Sequence, residues 1–258
     1  MEMNKLLIVH KINDENDRPA LERWFTRYHV PEVLVQSPWM VRYLLYRVVP
    51  APPGGEAYGY YNYRVHENWA LDNSMRRGMK GILSMTPQPG ACDAVIANIP
   101  AEPTDDFLGG GNTFDSHTIL RWVTVFRYPD GVSFEEGEDW YLNVHVPEVK
   151  KQPGLHRFFS YKVNQLDGPP LPKGNEEDDF AEHEDLFFKQ WHRVSEMWYD
   201  NNNGWVDSII KNPPAYTKPT WATHDSYPFL IPGKEFISTF LLESPEHDFV
   251  REKFQLYY

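Results

Sequence analysis

Two histidines stand in matching surroundings. WFTRYHVPEV places His29 five residues after Trp24, and WYLNVHVPEV places His145 five residues after Trp140. A histidine near its ordinary pKa is the usual general acid or base. Pro31 and Pro147 follow two residues later and lack the N–H that a regular helix needs, so each His is expected at a broken helix end. There it either moves protons or caps exposed carbonyls. Glu32 and Glu148, three residues after each His, invite a metal reading, but the intervening Pro spoils helical ligand geometry, and no metal is expected.

Further candidates lie on strand-like segments. Arg42 and Arg157 share a face with Tyr46 and Tyr161 by period-2 alternation. If that face lines an interior, Arg with a phenol suits a substrate carboxylate or phenolate; if not, the Arg pairs with a helix carboxylate. Tyr63 and His192 occupy equivalent places, and His10 falls opposite Phe126, so histidine chemistry is not shared equally between the two halves. The stretch AYTKPTWATHDSYPF carries Trp221 and His224, and reads either as a lid over a pocket or as a packing arm. Cys92 is the single cysteine, which leaves no intrachain disulfide and no multi-cysteine metal site. No Gly-rich phosphate loop, nucleophile elbow or dinucleotide fingerprint occurs, so a reaction without cofactor is the default.

The elements that must position these residues come as two copies of one unit. His29 aligns with His145 at an offset of 145 − 29 = 116, and YRVHENW aligns with HRVSEMW, setting Trp69 on Trp198 at 198 − 69 = 129. The growing offset locates an insertion at 167–185, DGPPLPKGNEEDDFAEHED. The units are read as 1–102 and 116–258, with 103–115, containing GGG, as linker. KLLIVHKI and TILRWVTVFRY read as first strands, MVRYLLYRV and LHRFFSYKV as second, GYYNYRV and LFFKQWHRV as third, CDAVIANI and EFISTFLLE as fourth. Helices precede each His, and a second pair is expected over NWALDNSMRRGMKGIL and MWYDNNNGWVDSII. The order βαββαβ is that of an α+β ferredoxin-like unit. Its uncovered sheet face demands a second sheet, and a tandem copy supplies one, closing an α/β barrel within one chain.

Composition narrows the partners. A net charge of −12 opposes nucleic acid and anionic membrane surfaces. The apolar run Leu6 to Val9 is too short for a signal peptide or a bilayer span, so a cytoplasmic protein is expected. Aromatic residues make up 15% of the chain, which suits a pocket for a flat ligand as well as a filled core. The fusion removes the need for a dimer without forbidding a homodimer.

The His-x-Pro pattern (His29–Pro31, His145–Pro147), the following Pro38…Tyr43 and Pro153…Phe158, and the Trp expected to open each second helix resemble the EthD-like branch of the dimeric α/β-barrel superfamily. The resemblance implies a pocket between sheet and helices, and mostly cofactor-independent decarboxylases, cyclases, isomerases and monooxygenases on small aromatic or polyketide-like substrates, beside haem-binding relatives. The expectation is a cofactor-independent lyase, by decarboxylation or a related C–C cleavage, on a small aromatic or phenolic compound in catabolism. His29, His145 or His192 would move the proton, Arg42 or Arg157 hold a carboxylate, and Tyr46, Tyr161, Tyr63, His10, Trp221 and His224 line the pocket. An isomerase, a cyclase, a monooxygenase and a non-catalytic binding barrel are the alternatives.

Overall fold

In the computed structural model, which describes residues 3–71, 85–109, 119–164 and 191–251, strand β1 (Met3–Ile12) lies at the middle of a sheet. Its neighbours are β3 (Arg64–Leu71) and β4 (Cys92–Pro100), with β2 (Met40–Arg47) outside β3. The second sheet repeats the plan, with β6 (Leu120–Phe126) between β8 (Arg193–Tyr199) and β9 (Phe236–Leu242), and β7 (Arg157–Lys162) outside β8. All these pairings are antiparallel. The architecture is therefore the expected α+β barrel of two ferredoxin-like units. The insertion 167–185, the GG of 110–111 and most of the stretch 68–83, expected as the first unit's second helix, lie outside the described residues.

Each sheet carries a fifth strand taken from the far end of the other unit. β5 (Asp105–Asp106), which follows the first unit, pairs with β7; β10 (His247–Asp248), which follows the second, pairs with β2. The exchange covers edges that would otherwise expose unpaired N–H and C=O groups. The sheets also join directly. Val49 N–H donates to the Phe240 carbonyl at 2.9 Å on one side, and Asn164 N–H to the Asn98 carbonyl at 2.7 Å on the other. Gly59 docks on β9 with φ +65°, where an added Cβ would strike the Phe236 carbonyl oxygen, so glycine suits this seam.

Two expectations need correction. The helix before each His does not end there. α1 (Arg18–Trp24) runs through a π-helical turn (Phe25–His29) into α2 (Val30–Gln36), and α3 (Phe134–Trp140) through Tyr141–His145 into α4 (Val146–Val149). Proline removes one i→i−4 bond and clashes with the preceding turn; widening to π geometry, with Val30 N–H on the Phe25 carbonyl and Val146 N–H on the Tyr141 carbonyl, accommodates both effects. Each His thus lies mid-helix and caps nothing. The third strands also begin later than expected and extend to Leu71 and Tyr199, so Trp69 and Trp198 are strand residues. The alternation was concealed because a charged residue, Glu67 or Glu196, points into the layer between the sheets.

That layer is mostly aliphatic, with Leu7, Val9, Val65, Val123, Val125, Val194 and Ile237 nearly inaccessible. Within it four ionisable groups are buried in a pseudo-symmetric cluster. Lys5 pairs with Glu67 at 3.5 Å, and Arg121 with Glu196 at 3.0 Å. Lys5 also stacks over Tyr161 of the second unit at 4.6 Å, and Arg121 over Tyr46 of the first at 4.9 Å. Trp69 and Trp198 Nε1 donate to Glu67 and Glu196. Burial pushes the Glu196 carboxyl up, and Arg121 with Lys5 more than offset it, leaving it below its ordinary value. Removing one partner strands the rest in low dielectric, a loss of about 3–5 kcal/mol. We therefore expect Glu196→Gln to lower stability by that amount in urea denaturation at neutral pH, and the double replacement Arg121→Met/Glu196→Leu to cost less than either single one. Additive costs would contradict this.

Candidate functional site

The repeated motif has a structural half and an unused half. Trp24 Nε1 donates to the Thr86 carbonyl at 2.8 Å, and Glu32 accepts from Thr86 N–H at 2.9 Å and from its hydroxyl. In the second copy Trp140 Nε1 donates to the Thr217 carbonyl at 3.2 Å, and Glu148 accepts from Thr217 N–H at 2.9 Å and from its hydroxyl at 2.6 Å. Trp and Glu therefore clamp the chain that returns after the second helix position. The His between them is left over: Nδ1 of both His29 and His145 is shielded and without a hydrogen-bond partner. Each imidazole lies against its motif Trp, at 4.7 and 4.9 Å between centroids.

In the first unit His29 has company. β1 and β3 present His10 and His66 on the helix-facing side of the sheet, their rings 4.6 Å apart, and Phe25 of the π turn contacts both His66 (4.6 Å) and His29 (5.5 Å). Tyr43 Oη lies 3.4 Å from His66 Nδ1. Either group can donate in this contact, according to the imidazole tautomer; with Tyr43 donating, the His66 proton is on Nε2. His10 Nδ1 and His66 Nε2 have no partner, and neither has Tyr63 Oη. Burial lowers His10 to about 3, with His29 adding repulsion, and lowers His29 to about 4 against the opposing pull of Glu32. His66 is lowered by burial, then by His10 and His29. Arg64, the buried cation beside them, is held by Glu22 of α1 and covers Phe25 at 4.6 Å. Three neutral imidazoles with unpaired nitrogens thus face an aromatic wall.

The equivalent face of the second unit is lined differently. Phe126 and Ser195 replace His10 and His66, and Tyr141 hydrogen-bonds Ser160 and Ser195 at 3.0 and 2.8 Å. Arg193 makes a two-point contact with Glu138 and reaches Asp105 of β5 at 2.6 Å. His145 is 8% exposed, and the 215–229 segment packs over it: Tyr227 stacks on its ring at 5.6 Å and Tyr216 on Tyr227 at 4.0 Å. That segment is a packing arm. Trp221 lies against Trp140 and Tyr128, and His224 Nδ1 stays within its own turn near Ser226.

The remaining sequence candidates are dispersed. Arg42 and Arg157 sit at the margin of the inter-sheet layer, stacked on Trp69 (5.1 Å) and Trp198 (4.7 Å), and Arg42 reaches Asp248 of β10 at 3.5 Å rather than a helix carboxylate. Tyr46 and Tyr161 belong to the buried ion cluster. His192 stacks on Tyr128 and accepts its backbone N–H at Nδ1 (2.8 Å), whereas Tyr63 packs with Ile12 and Leu21 of the first unit, so the two do not meet. Of the residues singled out in the sequence, the structure brings together His29, His10 and Tyr63. His66 was overlooked, although the signal was present: it stands opposite Ser195 in the aligned third block, as His10 stands opposite Phe126.

The class defined by these observations is an intrachain ferredoxin-like barrel with one histidine-rich, aromatic-walled site. The family model for the chalcone isomerase N-terminal domain matches residues 1–92, the part of the chain that contains all three histidines. A comparison with curated proteins returns no match. Among solved structures the chain is similar to a protein assigned as a monooxygenase from Lactobacillus acidophilus (9% identity, TM-score 0.34, 96% of this chain and 98% of that one). It is similar to one so assigned from Fusobacterium nucleatum (8%, 0.38, 96% and 97%) and to chlorite dismutase from Candidatus Nitrospira defluvii (6%, 0.42, 93% and 91%). Similarity at this level carries no statement about chemistry. Among the described residues no helix is long and apolar enough to cross a membrane, and no group of three or more His, Cys, Asp or Glu is placed to hold a metal.

The depressed histidines fix a pH dependence. Their folded pKa lies below the ordinary 6.5, so between that value and the folded one the unfolded chain binds more protons and stability falls with falling pH. The slope is about 1.4 kcal/mol per pH unit for each fully desolvated His. Denaturation midpoints should be level above pH 7 and fall between pH 6.5 and 5, and the double variant His10→Phe/His66→Ser should show a shallower fall. Equal slopes would show that these rings are not held neutral.

Proposed function

We propose that the chain is an isomerase that moves protons on a flat, uncharged phenolic compound bound to the first unit's histidine cluster. The observation that carries this is the asymmetry between copies: His10 and His66, each with an unpaired, shielded nitrogen, accompany His29 in one unit, while Phe126 and Ser195 stand in their places in the other and the 215–229 arm covers His145. A decarboxylase would need a cation to hold the carboxylate. Arg64 is engaged by Glu22, and Arg42 and Arg157 lie on the opposite side of their sheets, so the structure favours a substrate without that charge.

The reading is supported by the match of residues 1–92 to the chalcone isomerase N-terminal domain, and the chemistry suits the groups present. In ring closure of a 2′-hydroxychalcone, the phenolic oxygen bonds to the alkene carbon β to the ketone, and the proton it loses is returned to the α carbon. The product is an isomer, with no oxidant or leaving group. A neutral imidazole N–H is a good electrophile for a ketone oxygen, and His66 Nε2–H fits that part through the Tyr43 contact. His29 is half-buried and keeps one edge towards solvent, which suits a group that takes and returns a proton. Binding lifts its depressed basicity as the phenol ionises beside it.

Conversion of 2′-hydroxychalcone to flavanone, followed by loss of the enone absorbance, tests the proposal. Wild-type protein should accelerate it, and His29→Gln, His66→Ser and His10→Phe should each lower kcat/KM by about 10²-fold or more while retaining the fold. His145→Gln should leave the rate within about twofold. No acceleration by wild type, or equal loss from His145→Gln, would overturn the assignment.

A further inference from the structure

The floor of the first-unit site can be read from the strand register. Leu6 lies opposite Asn68 on β3 and opposite Asn98 on β4, and Tyr43 of β2 lies opposite Asn68, so one row across the sheet runs Tyr43, Asn68, Leu6, Asn98. In the second unit the same row is Phe158, Met197, Trp122, Phe240, with Trp205 set edge-on against Trp122 and Phe240. A row of rings and a thioether in one copy, its one polar atom the unpaired Trp122 Nε1, carries two primary amides in the other.

Both amides are buried, at 9% exposure for Asn68 and 7% for Asn98, and Oδ1 of each has no hydrogen-bond partner. Buried side-chain oxygens are seldom left unpaired in native proteins, and two in one row ask for a ligand with donors. We infer that Asn68 and Asn98 are the specificity-determining acceptors of this site. Each takes a hydrogen bond from a neutral hydroxyl of the aromatic substrate, one towards each end. β3 and β4 flank β1, which separates the two backbones by about 10 Å and calls for hydroxyls on separate rings rather than on one. Amide oxygens repel anions, so the substrate enters as the neutral phenol and ionises only beside the histidines. The inference rests on the reading of the site given under Proposed function.

The test uses compounds that lack the 2′-hydroxyl and cannot close a ring: 4,4′-dihydroxychalcone, 4-hydroxychalcone and chalcone. Binding is followed by calorimetry for wild type, Asn68→Leu and Asn98→Leu, with Asn68→Met and Asn98→Phe, the second unit's own residues, used if a Leu variant does not fold. Wild type should lose about tenfold in affinity for each hydroxyl removed. Each variant should lose the discrimination for one hydroxyl, bind unsubstituted chalcone as wild type does, and have an unliganded Tm no lower than wild type, because it removes an unpaired buried polar group. Equal affinity of wild type for all three compounds would overturn the inference in favour of water on the amides. So would unchanged discrimination in the variants, and so would a lowered Tm with unchanged discrimination, the mark of a purely structural role. If 2′-hydroxychalcone is turned over while these results fail, the acceptor assignment alone falls; if none of the compounds binds, the functional reading falls with it.

Discussion

A ferredoxin-like sheet has two faces and only enough helix to cover one. Everything else in this molecule follows from how the second face is hidden. The two sheets close on each other, and the layer between them, with Val65, Val123 and Val194 sealed from solvent, supplies the apolar burial that neither unit achieves alone. Within that layer Lys5, Glu67, Arg121 and Glu196 restrict which register is acceptable, because a slip by one residue would turn every charge to the other face and leave its partner stranded. The stacking of each cation on the other unit's tyrosine makes the restriction mutual. β5 and β10 extend the exchange to the edges.

With the shared face committed to stability, the two helix-side spaces are separate and free to diverge. The scaffold around them is kept: both π turns, both Trp–Glu clamps on a threonine, and both Arg–Glu pairs between third strand and first helix. The contents differ. The second unit has converted its space to core, with Tyr216, Trp221, Tyr227 and Phe229 filling it and the polar groups Tyr141, Ser160, Ser195 and Arg193 satisfying one another. The first keeps imidazoles and amides whose hydrogen-bonding capacity is unspent. Desolvation holds those imidazoles neutral, which suits them to polarise a carbonyl and to take up a proton only when a bound acid offers one.

Much of the fold was legible because the repeat was. Trp24/Trp140, His29/His145 and Trp69/Trp198 fixed the alignment, and β1, β2, β4 and their counterparts followed from alternation. The third strands were misplaced because Glu67 and Glu196 read as surface residues although they face the interior. The exchanged edge strands, at two residues each, carry no periodicity. The site was harder to read. Identity between the copies marks scaffold apart from His29, and the groups proposed to act beside that histidine stand where the copies disagree: His10 against Phe126, His66 against Ser195, Asn68 against Met197. Arg42 and Arg157 misled because alternation assigns a common face to Arg and Tyr without saying which layer that face meets.

Of the two equivalent helix-side faces, the first unit's is proposed as a working site and the second unit's as core. A crystal structure of the protein with 4,4′-dihydroxychalcone tests this most directly. One molecule per chain should bind, in the first unit between β1, β3 and the π turn of His29, with Tyr216 and Tyr227 still stacked over His145 in the second. A ligand that displaces that arm, or that lodges between the sheets beside Arg42 and Tyr46, would contradict it.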